Sequence, residues 1–178
     1  SNPYDAKGLL KTAIRDEDPV IFMESEVMYG EKGEVPSEEY LIPIGVADIK
    51  RAGTDVTIVS FGKFMKVALN SAIELEKEGI SAEVIDLRSV RPIDYATVVN
   101  SVKKTNRLVI VEEAWPLASI SSEITYHIQK HAFDYLDAPI HRINSLDVPL
   151  PYAPTLIDAI LPNVARTVKA VKAVMYRD

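Results

Sequence analysis

Three features of the sequence predict an α/β protein with a mostly parallel sheet between two helical layers. Short apolar runs of strand length, Val56–Ser60, Glu83–Leu87 and Leu108–Val111, alternate with longer segments whose apolar residues recur at helical spacing. The runs are nearly continuous in apolar character, as expected for strands covered on both faces. Glycine or proline punctuates the changes of period at Gly62, Gly79 and Pro92. Strand–helix–strand repetition of this kind closes as crossovers with helices on both sides of one sheet.

The elements follow in order. Asp5 to Arg15 reads as a helix with an apolar stripe of Leu9, Leu10, Ala13 and Ile14 and Asp5 as its cap. Asp18-Pro19 breaks it, and Val20-Ile21-Phe22-Met23 reads as a short buried strand. One helix and one strand close no core of their own, so residues 1–24 look like the last elements of an earlier domain. Residues 25–43 are polar, carry Gly30, Gly33, Pro36 and Pro43, and read as a linker. The main domain is then 44–178.

Within it, Val56–Ser60 is a strand, and Gly62 turns the chain into a helix over Lys63–Glu78. Phe64, Val67, Ala68, Ser71, Ala72 and Leu75 form its core face, and Gly79 closes it. A strand at Glu83–Leu87 is followed by a helix over about Ile93–Lys104, with Ala96, Val99 and Val102 on one side. Leu108–Val111 reads as the most central strand. A helix carrying Ile120, Ile124, Ile128 and Ala132 comes next, then a short strand at Ile140–Ile143. Pro149 to Pro154 is extended, since each proline turns its predecessor away from helix. A last helix from about Pro162 to Met175 packs through Val164, Val168, Val171 and Met175.

Composition bounds the function. A net charge of −6 argues against nucleic acid or an anionic membrane as partner. The absence of cysteine excludes disulfides, thiolate nucleophiles and iron–sulfur ligation. No apolar stretch approaches the ~20 residues of a membrane span. The seven glycines are scattered and none follows Gly79, so neither a Walker loop nor a dinucleotide fingerprint is present. A nucleotide site contained in this chain is therefore not expected.

The densest chemistry lies where the Glu83–Leu87 strand hands over to the next helix. Asp86, Arg88, Arg91 and Asp94 place two charges of each sign at the end of a sheet, where α/β proteins build sites. Pro92 stops the strand and suits the first turn of the helix, and Asp94 meets the positive end of its dipole. Spacing alone favours a structural, salt-bridged corner over a reactive one.

Other constellations are weaker. His127 and His131 lie four apart with Glu123 on the same row, but the metalloprotease pattern needs Glu where Ile128 stands, so no metal is expected. Gly62-Lys63 is either an anion seat or a tight turn. Ser119, Ser121 and Ser122 read as helix caps, without a nucleophile elbow. Trp115, the single tryptophan, is either a partner anchor or a rim-of-core residue.

Ile85-Asp86-Leu87-Arg88 followed by Arg91-Pro92-Ile93-Asp94 resembles the signature of the C-terminal domain shared by transketolase-like thiamine enzymes. The likeness is closest to the beta subunit of the 2-oxo acid dehydrogenase first component, C-terminal portion, and spans essentially the whole chain. Asp5–Asp16, Met28-Tyr29-Gly30, Ile42–Gly45, Val111-Glu112-Glu113 with Trp115-Pro116, Phe133–Pro139 and Asp147–Ala153 match in order. Met28-Tyr29-Gly30 and Trp115-Pro116 are similar to the pyruvate type rather than to branched-chain or acetoin relatives. Leu117–Ile120 lacks the glycines that the family commonly carries before this helix.

The resemblance implies a three-layer α/β/α transketolase C-terminal-like domain, preceded by a remnant of the pyrimidine-binding domain. It implies an α2β2 pyruvate dehydrogenase that uses thiamine diphosphate and Mg to decarboxylate pyruvate and pass acetyl to lipoyl groups, with a branched-chain 2-oxo acid or acetoin dehydrogenase as the alternative, the hard chemistry being the cofactor's. The activating carboxylate and the Mg–diphosphate motif of the family lie outside these residues. No catalytic, cofactor or metal residue is therefore expected here, and the chain alone is expected to be inactive. The implied partners are the alpha subunit, a second beta subunit and the subunit-binding domain of the dihydrolipoyl acyltransferase, with Trp115, Arg177 and Asp178 as docking positions. The implied location is the cytoplasm of a bacterium or the mitochondrial matrix of a eukaryote. A competing class is a stand-alone module that binds a small anion at the sheet's carboxyl edge.

Overall fold

The computed structural model describes residues 1–177. Five strands order themselves as β1 (Asp48–Arg51), β3 (Ala82–Asp86), β2 (Val56–Ser60), β4 (Leu108–Val111) and β5 (His141–Ile143). β1 runs antiparallel to β3, and the other pairs are parallel. The helices are α1 (Pro3–Arg15), α2 (Met65–Lys77), α3 (Tyr95–Thr105), α4 (Ile120–His131), α5 (Pro154–Ile160) and α6 (Val164–Val174).

Alternation along each strand divides the interior into two cores. Val56, Ile58, Val84, Val109 and Val111 face α2 and α6, meeting Met65, Ala68, Leu75, Val171 and Val174. Val59, Ile85, Leu108 and Ile110 face α3 and α4, meeting Val98, Val102, Ile124 and Ile128. This is the expected three-layer arrangement. Fully burying one Val, Leu or Ile side chain contributes about 1.5–3 kcal/mol, so the double-sided strands carry much of the stability.

One buried polar cluster interrupts the α3 side. Thr57 Oγ1 lies 2.6 Å from Ser101 Oγ and 2.7 Å from Thr105 Oγ1. Ser101 donates to Glu83 at 2.6 Å, Lys104 pairs with the same carboxylate, and the Gly53 N–H donates to it at 3.3 Å. Burial pushes the Glu83 carboxyl up, but these donors and the Lys104 charge outweigh it and hold it below the usual range. Gly53 is required for this approach, because a Cβ there would sit 2.2 Å from the backbone of Ala82 and Glu83.

Several expectations are corrected. Residues 20–23 pair with no strand among the described residues, and Ile21 is 90% exposed. β1 and α5 were not expected; β1 is a polar, half-buried strand, and α5 starts on Pro154, whose fixed φ suits a first helical position. β2, rather than β4, is central in the sheet. The helix expected from Lys63 opens as a 3-10 turn at Gly62–Phe64 before α2 begins. α3 begins at Tyr95, with Pro92 outside it in a cis peptide bond after Arg91. The buried face of α6 is Thr167, Ala170, Val171 and Val174; Val168 and Met175 pack against the core partly buried, as expected, and only Val164 is left at the edge. Asp5 does not cap α1; Asn2 does, accepting the Asp5 N–H at 2.9 Å. Asp5, Gly8 and Leu9 form the buried face, with Ile14 exposed.

Candidate assembly site: a charged corner and two exposed ends

The corner after β3 is built by a backbone device. Asp86, buried at the strand end, accepts the Arg88 N–H at 3.0 Å and a hydroxyl bond from Ser1. The turn this makes holds Arg88 at φ 56°, a left-handed conformation that costs a side-chain-bearing residue about 1–3 kcal/mol. It aims the guanidinium away from Asp86. Arg88 Nη2 instead meets Asp5 at 2.6 Å and Asp48 at 2.8 Å. Lys50 bridges the same two carboxylates at 2.7 and 2.6 Å. Arg88 Nε is buried without a partner among the described residues.

This four-charge latch joins α1, β1 and the turn after β3. Burial would raise the Asp5 carboxyl, but the hydrogen bonds and charges of Lys50 and Arg88 outweigh it, and its pKa falls below the usual value. Lys50 is raised by the two carboxylates against the opposing effect of burial. Next to the latch, the chain at 36–42 wraps α1. Lys7 donates to the carbonyls of Pro36 and Glu38, Tyr4 stacks on Tyr40 with centroids 4.5 Å apart, and Thr12 donates to Ile42 O at 2.7 Å.

Asp94 takes a separate role as the N-cap of α3. It accepts the Thr97 N–H at 3.0 Å, the Thr97 hydroxyl at 2.7 Å and the Ala47 N–H at 3.0 Å. Burial opposes ionisation there, yet these donors hold its carboxyl below the usual range. Arg91 is exposed and forms no ion pair among the described residues. Of the four predicted corner residues, Asp86 and Arg88 are joined through the Arg88 N–H, and among the described residues no two of the four form an ion pair. Sequence reasoning missed Asp5, Asp48 and Lys50. The available signals were an acid sharing a helix face with Gly8 and Leu9, and the alternation of Asp48-Ile49-Lys50.

The expected docking positions separate. Trp115 follows β4 at the carboxyl end of the sheet, is 56% exposed, and donates from Nε1 to Val148 O at 3.0 Å. With Leu117, Val148, Leu150, Ile160 and Leu161 it lines an apolar cavity of about 420 Å³. Arg177 lies beyond α6 at the opposite end. Arg107, just before β4, donates to Val174 O at 3.2 Å, whereas Arg166 near the start of α6 donates to Asn144 O, just past β5, at 2.7 Å. Asp178 lies outside the described residues. Of the paired histidines, His127 stacks on Tyr95 with ring centroids 3.8 Å apart, and His131 packs tilted against His127 at 4.4 Å. Burial and the neighbouring His131 push His127 below its ordinary value, with Lys130 adding to and Glu123 opposing them.

Residues 45–167 match the family model for the transketolase C-terminal domain. The chain belongs to this family. Its sequence is 56% identical over 98% of its length to the pyruvate dehydrogenase E1 component subunit beta of Rhizobium meliloti (strain 1021), covering 39% of that protein. It is 51% identical to the mitochondrial counterpart of Dictyostelium discoideum, covering 98% of this chain and 50% of that one. The chain therefore spans half or less of the length of these curated relatives. A solved structure described as a split gene transketolase, inactive beta4 tetramer, superposes with a TM-score of 0.69 at 28% identity, over 81% of this chain and 46% of that one.

Among the described residues no group of three or more His, Cys, Asp or Glu side chains is placed to hold a metal ion. The buried carboxylates of Asp5, Glu83 and Glu112 are already engaged by neighbouring donors. No step of the cofactor's chemistry is assigned to them. No helix among the described residues is long and apolar enough to cross a membrane.

Proposed function

We propose that this chain serves as the C-terminal part of the beta subunit of a thiamine diphosphate- and Mg-dependent pyruvate dehydrogenase. In that assembly, pyruvate is decarboxylated and acetyl passes to lipoyl groups. The observation that carries the reading is identity above half over nearly the whole chain to a named beta subunit. The chain's own work is assembly. The latch of Asp5, Asp48, Lys50 and Arg88 ties residues 1–24, read as the end of a preceding domain, to the domain at 44–178, with 25–43 as the connection. The match of the family model from residue 45 supports that division.

The partners proposed are the alpha subunit, a second beta subunit and the acyltransferase's subunit-binding domain. Trp115 and Arg177 occupy opposite ends of the sheet, so they serve two different contacts rather than one. Asp178 remains grouped with Arg177. By itself the chain is proposed to be catalytically inactive. Its location is the bacterial cytoplasm or the mitochondrial matrix, the two settings in which such enzymes are proposed to work.

The test restores the preceding domain, co-expresses an alpha subunit and compares decarboxylation of pyruvate with 2-oxoisovalerate. A strong preference for pyruvate is expected. A branched-chain preference would move the chain to another 2-oxo acid dehydrogenase, and a well-folded tetramer inert to both would overturn the reading. Turnover by the isolated chain would remove the claim of inactivity. Arg177→Glu is expected to weaken binding of the subunit-binding domain while leaving assembly with alpha intact, because charge reversal acts on steering and register.

A further inference from the structure

Four arginines of this chain, Arg15, Arg51, Arg88 and Arg107, each meet a carboxylate. Arg142 and Arg166, like the exposed Arg91, do not; unlike Arg91 they are held by neutral oxygens among the described residues. Arg142 Nη1 donates to Pro116 O at 2.9 Å and to Ser122 Oγ at 2.6 Å. Arg166 donates to the carbonyls of Ile160 and Leu161, both at 3.1 Å, and of Asn144 at 2.7 Å. Carbonyls and hydroxyls orient a guanidinium without neutralising it. Each arginine keeps N–H groups beyond those bonds, since the fork carries five.

Both line one cavity of about 390 Å³, together with His141, Asn144, Ser145 and Asp147. The cavity runs along the edge strand β5, from Ile140 before it to Asp147 beyond it, with Pro116 and Arg166 on its sides. Ser145 is 7% exposed, and its Oγ is buried without a hydrogen-bond partner among the described residues. An unmet buried hydroxyl costs about 1–3 kcal/mol unless something arrives to bond it. The set is two oriented, unneutralised guanidinium groups and one idle hydroxyl, opposed by a single carboxylate, in a chain of net charge −6.

We propose that this cavity binds a small oxyanion of the phosphate or phosphomonoester class. Arg142 and Arg166 supply charge-assisted donors in the fork geometry that suits such oxygens, and Ser145 supplies a neutral one. Asp147 sets a limit on affinity and disfavours larger polyanions. Nothing in this proposal depends on the assembly reading above. Glu112 is not part of the site, because Asn144 Nδ2 and the Ser121 N–H both donate to it at 2.9 Å and keep it turned inward.

The test is a ¹⁵N-resolved NMR titration of the 178-residue chain with inorganic phosphate, with glycerol phosphate, and with sodium chloride at matched ionic strength. Saturable shifts at the amides of Asn144, Ser145 and Leu146 are expected with the oxyanions and not with chloride. Tighter binding of glycerol phosphate than of phosphate assigns a phosphorylated metabolite, and the reverse order assigns the free ion. Arg142→Gln is expected to weaken binding roughly tenfold, the worth of one charge-assisted contact. Ser145→Ala removes no existing bond, so it should fold as well as the parent while weakening binding about two- to fivefold. Shifts that chloride reproduces, or binding that Ser145→Ala and Arg142→Gln leave unchanged, would overturn the proposal.

Discussion

Replacing Asp5 by alanine tests what holds the first helix to the sheet. The carboxylate is fully buried and accepts from Asn2 Nδ2 at 2.6 Å, from Lys50 at 2.7 Å and from Arg88 at 2.6 Å. Removing one member of a buried ion pair costs about 3–5 kcal/mol, because the surviving charge is left in a poor environment. Here Lys50 and Arg88 both retain Asp48, which is about one-third exposed, so the expected loss is near the lower bound, about 3 kcal/mol. That is roughly a hundredfold in the opening equilibrium of α1. Native-state hydrogen exchange reads it directly. α1 amides should lose roughly a hundredfold in protection, while those of β2 and β4 keep theirs. Acid offers the same test in the parent chain. The folded Asp5 pKa lies below its ordinary 3.8, so its contribution is complete above that value and disappears as pH falls through the folded pKa. α1 protection should fall with acidification in that window, and Asp5→Ala should abolish the dependence. Equal α1 protection in parent and variant would refute the latch as the anchor of this helix.

Three further substitutions probe the body of the fold, each read from the midpoint of urea denaturation. Gly53→Ala places a Cβ 2.2 Å from the Ala82 carbonyl carbon and the Glu83 nitrogen, both backbone atoms, and should destabilise by more than about 3 kcal/mol. A parent-like midpoint would show that the loop before β2 yields more freely than the close approach implies. Ile124→Ala empties a fully buried position between α4 and the sheet and should cost about 3 kcal/mol. Asn163→Ala removes the N-cap that accepts the Arg166 N–H at 2.9 Å and should cost about 1 kcal/mol; no change would mean that the start of α6 is held by tertiary packing alone.

The layered fold was legible because β2, β3 and β4 are apolar on both faces and the helices between them keep a 3.6-residue period. Val59 and Ile58 announce a two-sided strand without reference to any neighbour. β1 was not legible, since Asp48, Lys50 and Arg51 owe their places to charges that lie far off in the chain. α5 was hidden by the prolines before it: Pro149 and Pro151 extend the chain, but Pro154 begins a helix, and residue type alone does not separate the two uses. On α1 the visible apolar stripe misled, because Leu10 and Ile14 are exposed while an aspartate is buried. A buried charge is readable only when its partners are known, and Lys50 and Arg88 lie 45 and 83 residues away. The corner's residues were identifiable from their density of charge; their pairing depended on the left-handed turn at Arg88, which carries no glycine to mark it.

The two outermost strands carry a consequence for how this chain meets other molecules. β5 has three residues and β1 four, with a break in register between Ile49 and Arg51 and basic side chains along it. Short, irregular, charged borders make poor templates for another strand. Such borders favour contacts through side chains standing on helices and loops over lengthening of the sheet. Association can then be tuned by surface substitution with the ladder intact, and partly unfolded copies gain little by stacking border to border.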